Sequence, residues 1–187
     1  MTTPGARLDS QFAFLMEADK LKSITRATTL SDGSRAENSA EHSWHICLFA
    51  LTLAEFAQTP VDFNRVVLML LLHEFVEIDA GDHPIHLAVD EASVAAEEAT
   101  AADRLFGLLP DDQGAHYRAL WDEFEAAQSP DAIFAKAIDR VAPVIQIMAS
   151  GGGSWKKYNV TLEDLENRVG VQVARGAPRP CTHKSVA

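Results

Sequence analysis

The stretch Leu70-Leu71-Leu72-His73-Glu74-Phe75-Val76-Glu77-Ile78-Asp79-Ala80-Gly81-Asp82 decides how the chain is read. An apolar run beginning at Val66 opens onto one histidine and four acids between positions 73 and 82. Helical spacing puts His73 and Glu77, four apart, on one face, with Glu74 and Glu77 three apart. Crowded carboxylates repel one another unless solvent or a cation separates them. The segment is therefore either a solvated acidic helix end or one side of a cation site. It also looks like the His-Glu-x-x-His signature of metallopeptidases, but position 77 is Glu and the second histidine ligand is missing.

Around this segment helical periodicity dominates. Leu8, Phe12, Leu15, Ala18 and Leu21 recur at three- and four-residue steps and predict a first amphipathic helix. The polar stretch from Thr25 to Asn38, with Ser31-Asp32-Gly33-Ser34, reads as a loop. A second helix is expected from Asn38 or Ser39 to about Gln58, and a third from Val61-Asp62 through Leu72 to about Ile78. Ala80-Gly81-Asp82-His83-Pro84 breaks the chain before a fourth helix over Ala88–Leu108 and a fifth over Gln113–Gln128. Ser129-Pro130-Asp131 is an N-cap with proline in the first turn and opens a sixth, to about Met148. Gly151-Gly152-Gly153 interrupts, and Thr161-Leu162-Glu163-Asp164 resembles a capping box for a last short helix. No alternation of period two is sustained. The expected fold is all-α, one helical domain over 1–175 with six to seven helices, and a loose tail over 176–187.

The chain has 187 residues, with 16 Lys+Arg against 27 Asp+Glu and a formal charge of −11. That balance argues against a nucleic-acid polymer as partner, which would need a basic face, and against adhesion to anionic membranes. A small anionic substrate stays open, because a bound cation reverses the local field. Cys47 and Cys181 are too few for a disulfide framework, and Cys47, in an apolar run, reads as a small buried hydrophobe. The N-terminus has no apolar signal core and no run approaches the about 18–20 residues of a membrane span, so a reduced, cytoplasmic setting is expected.

Two further clusters carry chemistry. In Glu37-Asn38-Ser39-Ala40-Glu41-His42-Ser43-Trp44-His45, His42 and His45 are three apart and Glu41 is placed to orient a ring nitrogen. The plainer reading is a helix start rich in capping residues, with Trp44 packed inward. Around Asp139, the apolar positions Ile138, Val141, Val144, Ile145 and Met148 put an acid close to a buried face. An ion pair with Arg140 or Lys136 is the plainer reading there.

Taken together, the order His42, then His73-Glu74 on a helix, then the distant Asp139 resembles the HD superfamily of metal-dependent phosphohydrolases. The similarity is to the branch containing bacterial 5′-deoxynucleotidases and HD-domain-containing protein 2. Arg26, Glu37–Trp44, Leu71–Asp82, Asp139 and Gly151-Gly152-Gly153-Ser154-Trp155 carry it across nearly the whole chain. One position departs from the family: its dyad is His-Asp, whereas this chain has His73-Glu74, one methylene longer.

The resemblance implies one divalent metal ion (Mn, Co, Fe, Ni, Zn or Mg) held by His42, His73, Glu74 and Asp139. It implies Glu77 as the residue that orients or deprotonates water or protonates the leaving oxygen. Arg26 is implied at the phosphate or sugar, and Asp82 near the sugar. The expected substrate is a small-molecule phosphomonoester, a (deoxy)nucleoside 5′-monophosphate, and the expected assembly a homodimer. Lys156, Lys157 and Arg35 are further cations, and His45, His83 and His86 lie near the motifs without matching ligands. The competing expectation is a non-catalytic HD-fold nucleotide-binding or scaffold protein whose metal site is degenerate.

Overall fold

Several helices start where a side chain caps their first free N–H groups. In the computed structural model, which describes residues 4–84 and 90–176, Asn38 and Glu41 form a reciprocal capping box at the head of α2 (Ser39–Thr52). Asp62 caps α3 (Phe63–Leu72), Asp90 caps α5 (Glu91–Phe106), and Ser129 caps α7 (Pro130–Ala149) with Pro130 in its first turn. Thr161 and Asp164 form the expected capping box of α9 (Leu162–Leu165). The remaining helices are α1 (Pro4–Ala18), α4 (Glu77–Ala80), α6 (Asp111–Ala126), α8 (Gly153–Tyr158) and α10 (Val171–Gly176).

The all-α expectation holds, with one addition. Within the stretch read as a loop, β1 (Thr25–Thr29) pairs antiparallel with β2 (Ala36–Asn38), Thr25 opposite Asn38 and Thr29 opposite Ala36, with an irregular register between. Strands this short show no sustained alternation, so the sequence pattern does not reveal them. The second helix also ends sooner than expected, at Thr52.

The helix α7 is central: α2, α3, α6 and α10 all pack on it, and β1 lies against it from the side. One apolar cluster fills the space between, with Ile46, Met69, Leu70, Leu105, Leu120, Phe124 and Phe134 almost fully buried. Each such side chain contributes about 1.5–3 kcal/mol of burial. Gly176 is held within the fold, because a Cβ there would sit 2.4 Å from the Ala137 Cβ. Gly176 is thus part of the packed fold, and residues 177–187 of the expected tail lie outside the described residues.

Two expectations about apolar faces are overturned. α1 is anchored by Phe14, stacked on Phe75 at 4.7 Å, while Leu8, Phe12 and Leu15 are exposed. Trp44 faces outward, 62% exposed, because His42 and Ser43 occupy the inner face of α2. Among the described residues no helix is long and apolar enough to cross a membrane.

Candidate metal centre

Four buried donors from three parts of the chain meet between α2, the end of α3 and α7. His42 comes from the second turn of α2, His73 and Glu74 from the point where α3 tightens into a 3-10 turn (His73–Val76), and Asp139 from the middle of α7. Their ligating atoms all lie within 4.8 Å of one another. Asp139 Oδ1 is 3.1 Å from His42 Nε2 and 3.4 Å from His73 Nε2, while Glu74 Oε1 is 2.9 Å from His73 Nε2 and 3.9 Å from His42 Nε2.

Local backbone chemistry aims these groups. His73 Nδ1 donates to the Leu70 carbonyl at 2.9 Å, which turns Nε2 toward the cluster. Nε2 is buried and makes no well-angled hydrogen bond. Four residues beyond Asp139, Pro143 has no N–H to give to the Asp139 carbonyl, so the usual helical bond is missing at the acid-bearing turn.

The electrostatics are those of a cation site. Burial opposes charge on His73, but Glu74 and Asp139 overcome it and push the imidazole up to about 10. Burial likewise opposes charge on Glu74, yet Arg26, His73 and His42 hold its carboxyl well below the ordinary range. Asp139 is also held well below, against burial, by Arg140, His42 and His73. Once a cation displaces the His73 proton, two imidazoles and two carboxylates are a donor set suited to a divalent transition ion, and the unsatisfied Nε2 of His73 fits it.

The acids between 73 and 82 divide. Asp79 turns outward and pairs with Arg104 at 2.5 Å. Glu74, Glu77 and Asp82 turn inward around Arg26, which β1 delivers beneath the cluster. Arg26 Nη1 pairs with Glu74 Oε2, and lies 3.5 Å from Glu77 Oε1 and 3.6 Å from Asp82 Oδ1. Burial works against the guanidinium, and Glu74, Glu77, Asp82 and Asp139 more than offset it, so Arg26 stays charged. Burial and the neighbouring Glu74 push the Glu77 carboxyl up to about 9, with Ser39 Oγ donating to Glu77 Oε2 at 2.5 Å. Burial raises Asp82 as well, and its Oδ2 accepts the Ala27 N–H at 3.1 Å.

All seven residues singled out in the sequence thus converge. Others do not. Arg35 is an exposed bidentate partner of Glu41, so Glu41 does not orient His42; that position is taken by Glu37. His45 stacks on Trp44 away from the cluster, and His86 lies outside the described residues. Lys156 and Lys157 are exposed, and Lys136 pairs with Glu125 rather than with Asp139. Glu37, Ser39 and Gln146 are buried polar residues of the centre that no periodicity singles out.

The cluster forms one end of a cavity of about 260 Å³. Its lining is mixed: apolar Pro143, Val144, Ile147, Trp155, Val160 and Leu165 stand beside charged Arg140, Asp164 and Arg168, and His83 also lines it.

The HD domain family model matches residues 18–179. A zebrafish (Danio rerio) protein named 5′-deoxynucleotidase HDDC2 is 26% identical over 140 residues, 74% of this chain and 68% of its own. A 5′-deoxynucleotidase of Pectobacterium atrosepticum is 29% identical over 136 residues, 68% of each chain. A solved structure from Magnetospirillum magnetotacticum, described as a predicted metal-dependent phosphohydrolase, superposes with a TM-score of 0.87 at 47% identity, covering 93% of this chain and 89% of that one. With the family model spanning most of its length and the donor order intact in three dimensions, this chain belongs to the HD domain family.

Proposed function

We propose that the protein is a metal-dependent phosphohydrolase that releases inorganic phosphate from (deoxy)nucleoside 5′-monophosphates. The observation that carries the reading is the buried quartet His42, His73, Glu74 and Asp139, of which His73, Glu74 and Asp139 line a cavity that also presents Trp155 and several aliphatic side chains. The quartet suits a phosphoryl group, and Trp155 with its aliphatic neighbours suits the flat body of a nucleobase. The names of the relatives and of the structural neighbour support the same class.

A divalent ion held by the quartet supplies Lewis acidity and neutralises charge on the phosphoryl group. The chain's own residues do the rest. Arg26 offers its guanidinium to a phosphate or sugar oxygen, steered by the acids around it. Glu77 holds a proton at its carboxyl and sits beside the quartet, from where it can pass that proton to a leaving oxygen. Asp82, tied to the β1 backbone, faces the sugar. The protein works as a cytoplasmic homodimer, with the exposed stripes Leu8-Phe12-Leu15 and Trp44-Leu48-Leu51 as the faces available for self-association.

The test is a phosphate-release screen of metal-stripped protein against deoxynucleoside 5′-monophosphates, with Mn, Co or Mg restored. Ion-dependent release supports the proposal, and a folded protein that releases nothing with any ion refutes it. One observation favours the non-catalytic alternative: the Arg26–Glu74 ion pair engages the arginine that substrate would need. Tight nucleotide binding by protein without metal would favour that reading.

A further inference from the structure

We infer that Glu37 is a positioning residue that couples the metal centre to the substrate-facing arginine, one carboxylate oxygen serving both His42 and Arg26. The inference rests on the metal-centre reading above. Three buried polar atoms lack a hydrogen bond and converge on one another: His42 Nδ1, Arg26 Nε and Glu37 Oε1. Each nitrogen is 3.4 Å from that same oxygen. Glu37 is 1% exposed, so no bulk water competes for it.

The other oxygen is already committed. Glu37 Oε2 accepts from Gln146 Nε2 at 2.9 Å, and Gln146 sits two turns along α7 from Asp139. The carboxylate is thus anchored to the helix that supplies a candidate ligand, while β2, which carries Glu37, pairs with β1, which carries Arg26. A histidine that binds metal through Nε2 carries its proton on Nδ1 and needs an acceptor there to hold the ring plane. Among the described residues Glu37 is the carboxylate placed at His42 Nδ1. The same oxygen at Arg26 Nε fixes the guanidinium plane, and with it where the Nη atoms point. A shift of Glu37 therefore misaligns His42 and Arg26 together.

The test uses Glu37→Leu, Glu37→Gln and the control Glu41→Gln, each checked for helicity and melting temperature. Two readouts are needed: Co(II) affinity of the metal-stripped protein by calorimetry, and inorganic phosphate affinity of the Co(II)-loaded protein. Glu37→Leu should weaken Co(II) binding by about 10- to 100-fold and weaken phosphate binding in parallel. Glu37→Gln keeps an acceptor oxygen without the charge and should lose less of both. Glu41→Gln should lose neither. Should the leucine variant fail to fold, the glutamine variant decides: wild-type affinity for both probes overturns the inference. Loss of Co(II) affinity with phosphate affinity intact in the loaded protein overturns the coupling. Wild-type protein that takes up no Co(II) refutes the metal centre itself, a result distinct from variants that bind as wild type does.

Discussion

The donor quartet and the Trp155 segment of the cavity lining are built on opposite principles. At the quartet end, every side chain is over-determined: His73 is pinned by the Leu70 carbonyl, Asp139 lies in the middle of the twenty-residue α7, and His42 follows a reciprocal capping box. Elsewhere in the lining, Trp155 sits on the six-residue α8, and Leu165 on a continuous helical stretch from Leu162 to Gly176 that a π turn interrupts, the two separated by the left-handed Asn159. A helix as short as α8 has little intrinsic stability and depends on its contacts with β1 and α7. On the proposed reading, the contrast places chemistry on long, packed elements, where small misplacements are costly, and the aromatic contact of Trp155 on a short one.

Substitutions at the two ends should therefore fail differently. His73→Ala removes a donor from the rigid end and is expected to abolish metal uptake and lower turnover by more than about 100-fold, exceeding the cost of losing an outer partner. Helical circular dichroism should persist, and a variant that retains one ion per chain contradicts the ligand assignment. Asp139→Asn should behave alike.

The pH dependence of the rigid end has a definite sign. In metal-free protein His73 is raised from 6.5 to about 10 and Glu77 from 4.5 to about 9. A group whose folded value is raised contributes stability that is complete below its free value and lost as pH climbs through the folded one. The metal-free protein should thus weaken progressively above about pH 6.5 from His73, and from lower pH still through Glu77. Metal uptake displaces the His73 proton, so the rise in melting temperature on adding metal should grow from about pH 6 to about pH 8. A rise that is flat or shrinks over that range would count against the site.

At the adaptable end the effect should be smaller and confined to binding. Trp155→Ala is expected to raise KM for nucleotides roughly 5- to 150-fold, the range of about 1–3 kcal/mol for a base stacked on an aromatic ring. The kcat and the affinity for inorganic phosphate should stay put. A fall in kcat alone would move Trp155 to the chemical end of the cavity.

The smallest effect is expected at the join between the two regimes. Glu74→Asp withdraws Oε2 from Arg26 by one methylene and frees Nη1 for phosphate. Metal stoichiometry should be unchanged and KM should fall, by less than about tenfold. Loss of the ion would show that the longer side chain is required for ligation.

The same division separates what the sequence discloses from what it does not. The helices α5, α6 and α7 are readable because caps and breakers such as Ser129-Pro130 mark their ends, and His42, His73, Glu74 and Asp139 because their order resembles a family. The strands are not, since Thr25–Thr29 and Ala36–Asn38 are too short to alternate. Glu37 hides for the same reason: its burial depends on β2 pairing, and Glu41, with a nearer capping position, looks like the better partner for His42. The outward Trp44 and Phe12 mislead because an aromatic at helical spacing normally packs inward.

Anomalous scattering at the cobalt edge, from crystals grown after Co(II) reconstitution, tests the central claim most directly. One peak per chain is predicted, at about 2.0–2.2 Å from His42 Nε2, His73 Nε2 and oxygens of Glu74 and Asp139. A peak elsewhere, or none at the quartet in folded protein, would contradict it.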